Sequence, residues 1–325
     1  MKNFCLILIL IINYLTARDI PRPVNTYSIV AYDSAAGQMG VAVQSHWFQV
    51  GAIVSWAEAG VGVIATQSFV DVAYGPLGLD LMRGGKNAEQ ALQALLAIDP
   101  QKDVRQVAMI DVNGNVAVHT GEKCIQHAGH ISSSDFSAQA NLMEKNSVWP
   151  AMADAFKEAK GDLLSRMMEA LNAAQAEGGD IRGSQSCAIL IVPIESDGKH
   201  QALQKIVDLR VDDHPQPLEE MQRLIKIHRA YDHMNKGDDY LSRKNISAAL
   251  REYDTAHSLY PENVEILYWT AVTLAAEGKI DESLPLFKKV FTKEPIWMEL
   301  TKRLPKAGLL PDDKLLLDKI INAGN

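Results

Sequence analysis

The sequence predicts an α+β domain, two layers of sheet enclosed between helices, followed by a separate all-helical module. Strand-like runs come in pairs, helical stretches then come in pairs, and strands return, which is not the strict alternation of a doubly wound fold. From about residue 229 the strand pattern ends and units of helical spacing closed by proline take over. A length of 325 residues suits about two domains.

The chain opens on an export signal, residues 1–17. Lys2 is a short positive region, residues 4–12 are apolar apart from Cys5, and Thr16-Ala17 follow as a cleavage region. The apolar run is too short for a membrane anchor, which needs ~20 such residues. No later segment is apolar enough to span a bilayer, so a secreted or periplasmic location is expected. Cys5 leaves with the signal. Cys124 and Cys187 remain, too few for a disulfide framework and without zinc spacing; whether they bridge stays open.

Residues 27–32 and 39–44 are β-prone runs joined by the turn-rich segment 33–37. Counting outward from a turn on Ala35-Ala36 pairs Tyr32 with Met39 and sets Thr26 opposite Ser45, give or take a bulge. Residues 52–56 and 61–66 are the next strand-like runs. Asn87 caps a helix, with Ala91, Leu92, Leu95 and Leu96 at helical spacing and Pro100 beyond its end. Residues 104–112 and 115–119 flank Asn113-Gly114, a tight-hairpin dipeptide. Helices are expected over 148–159 and 162–176, and strands over 186–193 and 202–211.

In the tail, Gly237, Tyr240, Ala249, Tyr253, Ala256 and Pro261 fall at the spacing of a tetratricopeptide (TPR) unit. Leu267, Ala271, Leu274, Phe287 and Pro295 mark the next. Ser283 departs from the pattern where Ala249 fits it. The module, residues 229–325, is expected to be TPR-like and, holding only two full units, to lean on the first domain, a protein partner or a second subunit.

Formal net charge is -8 and pI near 5.6, so no basic surplus exists to displace counterions and nucleic acid is excluded as a partner. No Gly-rich phosphate loop or dinucleotide fingerprint implies a cofactor. Asp208, Arg210, Asp212, Asp213 and His214 include candidate metal ligands, but Asp-Asp-His in sequence has no recognisable ligand spacing, and Pro215 and Pro217 make it an exit turn. No metal is expected.

Residues 26–217 carry the ordered motifs Thr26-Tyr27-Ser28-Ile29-Val30-Ala31, Gly40-Val41-Ala42-Val43-Gln44-Ser45, Ala59-Gly60-Val61-Gly62, Ala65-Thr66-Gln67, Tyr74-Gly75-Pro76, Gln139-Ala140-Asn141, Gly179-Asp180-Ile181-Arg182-Gly183 and Asp208-Leu209-Arg210-Val211-Asp212-Asp213-His214-Pro215. In that order they resemble domain-of-unknown-function family 1028, whose fold is N-terminal-nucleophile (Ntn) hydrolase-like. The resemblance implies a four-layer αββα sandwich. It also implies a Thr, Ser or Cys at the first residue of the mature chain, whose own α-amine takes the side-chain proton.

Thr26 sits where that nucleophile is expected. An α-amine of pKa ~7.7–8.0 is partly neutral near neutral pH and serves as base for an otherwise poor hydroxyl nucleophile. Signal cleavage leaves residues 18–25 ahead of Thr26, so a further cut between Asn25 and Thr26 is required. A β-branched residue merely starting a strand is the plainer alternative.

The hairpin count puts Ser45 and His46 beside Thr26: Ser45 to relay a proton or orient the amine, His46 either to meet substrate or, as an end-of-strand residue, to face solvent. Gln44 should face the opposite side. Gln67 and Asn141 carry amide donors for an oxyanion, or are buried amides satisfied by backbone. Asp180 and Arg182 either clamp a substrate carboxylate or pair with each other. Proteasome-type members of the Ntn superfamily use a Lys on a nearby strand; no Lys occurs here between Lys2 and Lys86, so that version of the mechanism has no counterpart. These features lead to the expectation of an exported hydrolase acting on a small-molecule or peptide-like amide or related acyl bond. The alternative is a non-catalytic binding protein on the same scaffold.

Overall fold

The computed structural model describes residues 23–199 and 204–324. The expected signal segment lies outside the described residues. The chain divides into two compact units, the first ending at Gln222 and the second starting at Arg223.

The first unit holds two antiparallel sheets. Strands β1 Thr26–Asp33 and β2 Gln38–Ser45 form the expected hairpin, paired Tyr32 to Met39 and Thr26 to Ser45, with Gly37 at φ 66 in the turn. They sit centrally in a six-stranded sheet ordered β10-β9-β2-β1-β8-β7, completed by β7 Gly129–Ser132, β8 Phe136–Ala140, β9 Ser186–Pro193 and β10 Val207–Val211. The second sheet runs β3-β4-β5-β6: β3 Ser55–Glu58, β4 Gly62–Ser68, β5 Arg105–Asp111 and β6 Val116–Thr120.

Alternation along β1 sends Tyr27 and Ile29 to one face and Thr26, Ser28 and Val30 to the other. Val30, Val41, Val43 and Leu190 of the first sheet share one buried cluster with Val63, Ala65, Ala108 and Ile110 of the second, so the two sheets face each other. On the far side of the second sheet, α1 Tyr74–Arg83 and α2 Ala88–Ile98 pack Leu79, Met82, Leu92 and Leu96 onto Ile64, Val107 and Met109. On the far side of the first, α3 Val148–Glu158 brings Phe156 against Phe136, ring centroids 5.1 Å apart. There α4 Leu163–Ala176 accepts a hydrogen bond from Tyr27 Oη at Gln175, 3.0 Å.

Several elements differ from expectation. The apolar run at 52–56 is not one strand: Val50–Ala52 is a 3₁₀ turn that buries Val50 in the core, and only Ser55 onward pairs. Helix α1 lies where no element is expected and contains Gly75, Pro76 and Gly78, residue types of low helix propensity. A Cβ on Gly75 would lie 2.3 Å from the Trp56 ring and one on Gly78 2.6 Å from Ile64, so the glycines let the helix approach the sheet. Strands β7 and β8 lie where no strand is expected; in β8 the residues facing the second sheet, Ser137 and Gln139, are polar yet fully buried. The last strand starts at Val207, with residues 200–203 outside the described residues.

The second unit is all-helical. α5 Pro217–Ser242 spans the division, and α6 Ile246–Leu259, α7 Val264–Ala276, α8 Ile280–Lys293, α9 Ile296–Thr301 and α10 Lys314–Asn322 follow. α5 thus begins well before residue 229, with Pro217 at its first position, where the missing N–H costs nothing. Gly237 lets α5 meet α6, since a Cβ there would be 2.5 Å from Tyr253. Tyr268, Phe287, Phe291, Val290 and Ile320 form the core, and Ser283, the departure from the expected repeat pattern, is fully buried. No described helix is long and apolar enough to cross a membrane.

Candidate functional site

Thr26 opens β1 on the face turned to the second sheet, and its neighbours on that face are polar. The register places Ser45 directly across from it, and Gln44 points to the helix side with the odd-numbered residues of β1. Thr26 is fully buried, and its Oγ1 donates to the Val24 carbonyl at 3.0 Å.

The residues just before Thr26 are firmly held. Val24 exchanges two backbone hydrogen bonds with Ser68, 2.7 and 3.0 Å, and its side chain is part of the inter-sheet core. Asn25 is 1% exposed. Its carbonyl oxygen, the acyl oxygen of the Asn25–Thr26 peptide bond, accepts from Ser45 Oγ and from Arg182 Nη2, the latter at 3.0 Å. Two donors, one of them charged, therefore converge on the carbonyl whose carbon is bonded to the Thr26 nitrogen. Its Oδ1 is buried without a hydrogen-bond partner among the described residues.

Arg182 is fixed for this by Asp180. Nε donates to Asp180 Oδ1 at 3.0 Å and Nη2 to Oδ2 at 2.7 Å; the Asp180 side chain is fully buried and that of Arg182 is 23% exposed. The carboxylate also accepts from the backbone N–H groups of Arg182 (2.9 Å) and His46 (3.2 Å). The fork edge of the guanidinium is thus engaged by Asp180. His46 joins the cluster through its backbone. Its Nδ1 is buried, without a hydrogen-bond partner among the described residues, and a Cβ on Gly183 would lie 3.9 Å from it.

Gln67 and Asn141 lie on the opposite side of Thr26, at its own carbonyl oxygen. That oxygen accepts from Asn141 N at 3.1 Å, Gln67 Nε2 at 3.2 Å and Asn141 Nδ2 at 3.4 Å. Gln67 Nε2 also reaches Gln106 Oε1 (2.7 Å), as does Asn141 Nδ2 (3.0 Å). These amides hold the Thr26 carbonyl rather than the Asn25 carbonyl, the buried-amide alternative among the expectations. A chain of buried groups extends behind them: Ser137 Oγ donates to Gln139, Gln139 to Ser28, and Ser28 to Gln67. The backbone is left-handed just after each amide, at Ser68 (φ 72) and Leu142 (φ 55), conformations uncommon for residues other than glycine.

Gln106 and Asn25 were absent from the sequence candidates. Gln106 is the lone uncharged polar residue in an apolar strand, fully buried, and its Nε2 donates to Ala140 O (2.9 Å) and Thr120 Oγ1 (2.9 Å). A single glutamine in such a run is a legible signal. The Asn25 contribution is a backbone carbonyl and leaves none.

The exit-turn acids have local partners. Asp208 pairs with Arg210 (2.8 Å) and Lys205 (2.6 Å), which together outweigh burial and lower its pKa. Asp212 accepts from Gln49 and Asp213 from Gln185. Cys124 and Cys187 are free, buried cysteines.

No curated protein matches the chain. Among solved structures, the chain is similar to the crystal structure of protein SPO2555 from Silicibacter pomeroyi, at 28% identity and a TM-score of 0.55, over 62% of this chain and 88% of that one. A family model described as a family of unknown function, DUF1028, matches residues 26–221, beginning on Thr26 itself. The chain belongs to the DUF1028 family.

Proposed function

We propose that the protein is an exported Ntn-type hydrolase of amide or related acyl bonds, with Thr26 as nucleophile once Asn25 has been cut away. On this reading the first unit is an Ntn-hydrolase-like αββα sandwich, residues 1–17 are a signal peptide, and the tail is a TPR-like interaction module. The observation that carries it is the pair of donors on the Asn25 carbonyl oxygen, Ser45 Oγ and Arg182 Nη2.

Removing residues up to Asn25 frees the Thr26 α-amine and empties the groove that Val24 and Asn25 fill. A substrate acyl group entering there brings its carbonyl oxygen to the two donors. The amine takes the Thr26 hydroxyl proton as Oγ1 attacks the acyl carbon, and the oxyanion forms between Ser45 and Arg182. Collapse expels the substrate amine with that proton and leaves an ester on Thr26. Water, deprotonated by the same amine, then hydrolyses the ester and releases the carboxylic acid. Gln67, Asn141 and Gln106 keep the Thr26 backbone in place and touch no reacting atom.

The experiment compares two forms of the protein, one starting at Thr26 and one at Arg18, on a panel of N-acyl amides and short peptides. The proposal expects turnover only from the first, abolished by Thr26→Ala and partly kept by Thr26→Ser. Equal turnover by both forms overturns it. The burial of the Thr26 hydroxyl beneath Val24 and Asn25 favours a second reading, a non-catalytic scaffold that keeps residues 18–25 and binds partners.

A further inference from the structure

The second unit contains a cavity of about 520 Å³, within the range of small-ligand sites. One wall comes from α5 with Tyr231 and Asp238, the other from α7 with Glu265 and Trp269 at i, i+4 spacing, and Tyr253 of α6 also lines it. Met234 and Val272 supply apolar surface. Glu277 follows the last turn of α7, where the helix dipole adds to its negative charge.

The carboxylates organise the rings. Tyr231 Oη donates to Glu265 Oε2 at 3.1 Å, Trp269 Nε1 to Oε1 at 3.4 Å, and Tyr253 Oη to Asp238 Oδ1 at 2.5 Å. Each partner is a neutral donor, so the negative charge of Glu265 and Asp238 is oriented but not neutralised. Among the described ion pairs, no lysine or arginine bridges to Asp238, Glu265 or Glu277. An apolar floor, aromatic walls and three carboxylates together select a cation with an apolar body, through charge and cation–π attraction.

We infer that this cavity is a binding site for an organic cation, an alkylammonium or guanidinium group attached to an apolar moiety. The inference rests on the helical unit alone and is independent of the hydrolase proposal.

Calorimetric titration of the full chain tests it with four probes: N-acetyl-Phe-Arg-amide, its neutral isostere N-acetyl-Phe-citrulline-amide, the acidic N-acetyl-Phe-Glu-amide, and free phenethylamine. The cationic dipeptide is expected to bind saturably and at least ~10-fold more tightly than the citrulline and glutamate forms. Phenethylamine binding as well marks a free organic cation as sufficient, whereas dipeptide binding alone marks a peptide-borne one; either supports the site. The variant Asp238→Asn/Glu265→Gln/Glu277→Gln, checked for folding by circular dichroism, is expected to lose that discrimination. Should it not fold, the comparison of charged and neutral probes on the parent protein decides. No saturable binding of either cation up to about 5 mM, or equal binding of the arginine and citrulline forms, overturns the inference, as does full discrimination by the folded variant.

Discussion

Arg182 donates from Nη2 to the carbonyl oxygen of Asn25 at 3.0 Å, across 157 positions of sequence, while Asp180 holds the same guanidinium by two further hydrogen bonds. A cation is thereby fixed next to the acyl bond that precedes Thr26.

If that position serves the oxyanion, its two donors act on the chemical step. In the form starting at Thr26, Ser45→Ala and Arg182→Met should each lower kcat by ~10²–10³, with a smaller change in KM. Steady-state kinetics on whichever amide the parent hydrolyses checks this. A loss confined to KM would mean the donors bind substrate equally in ground and transition states.

The pH profile should carry the same signature. In the form starting at Thr26 the Arg182 guanidinium disfavours the charged form of the α-amine, so the pKa of the amine is expected to fall. Activity requires the neutral amine and should rise with pH through that lowered value. Arg182→Met removes the positive neighbour, and the rising limb should move to higher pH. A limb that stays in place contradicts this electrostatic role.

Gln106 is predicted to matter for stability rather than chemistry. Gln106→Leu leaves the donors of Gln67 and Asn141 facing an apolar group in a fully buried site. Unsatisfied buried donors cost ~1–3 kcal/mol each, so the urea midpoint of the first unit should fall clearly. An unchanged midpoint would show that the amide network relaxes without loss.

Both described cysteines should be chemically silent in the native protein. Burial pushes the Cys124 thiol up, and burial with nearby Asp212 and Glu220 pushes Cys187 well up. A raised pKa suppresses the thiolate at pH 8, and the thiolate is the reactive form. Iodoacetamide labelling followed by mass spectrometry should find both unmodified until the protein is unfolded. Rapid native labelling of either would contradict their burial.

The legible parts of the fold were those where local pattern and tertiary environment agree. The β1–β2 hairpin could be registered to the residue because its turn is short and its strands alternate regularly, so Thr26 and Ser45 came out opposed. Helix α2 announced itself through Asn87, which makes a full capping box with Gln90. Strand β8 was illegible because its core face carries Ser137 and Gln139, which bond each other and, through Gln139, Ser28 of β1. Helix α1 hid behind glycines whose reason is the approach to Trp56 and Ile64. At the site, the side chains were nameable in advance but their directions were not. Gln67 and Asn141 serve the Thr26 carbonyl because Gln106, a distant residue, draws both amides to that side.

The central claim is that the working chain begins at Thr26. Intact-mass and N-terminal peptide analysis of the protein recovered from its exporting cells tests it most directly. The expected result is a chain with a free Thr26 amine, and retention of Asn25 in the Thr26→Ala variant if the hydroxyl drives its own release. A protein that retains Val24 and Asn25 in its mature form, and still turns over substrate, would contradict it.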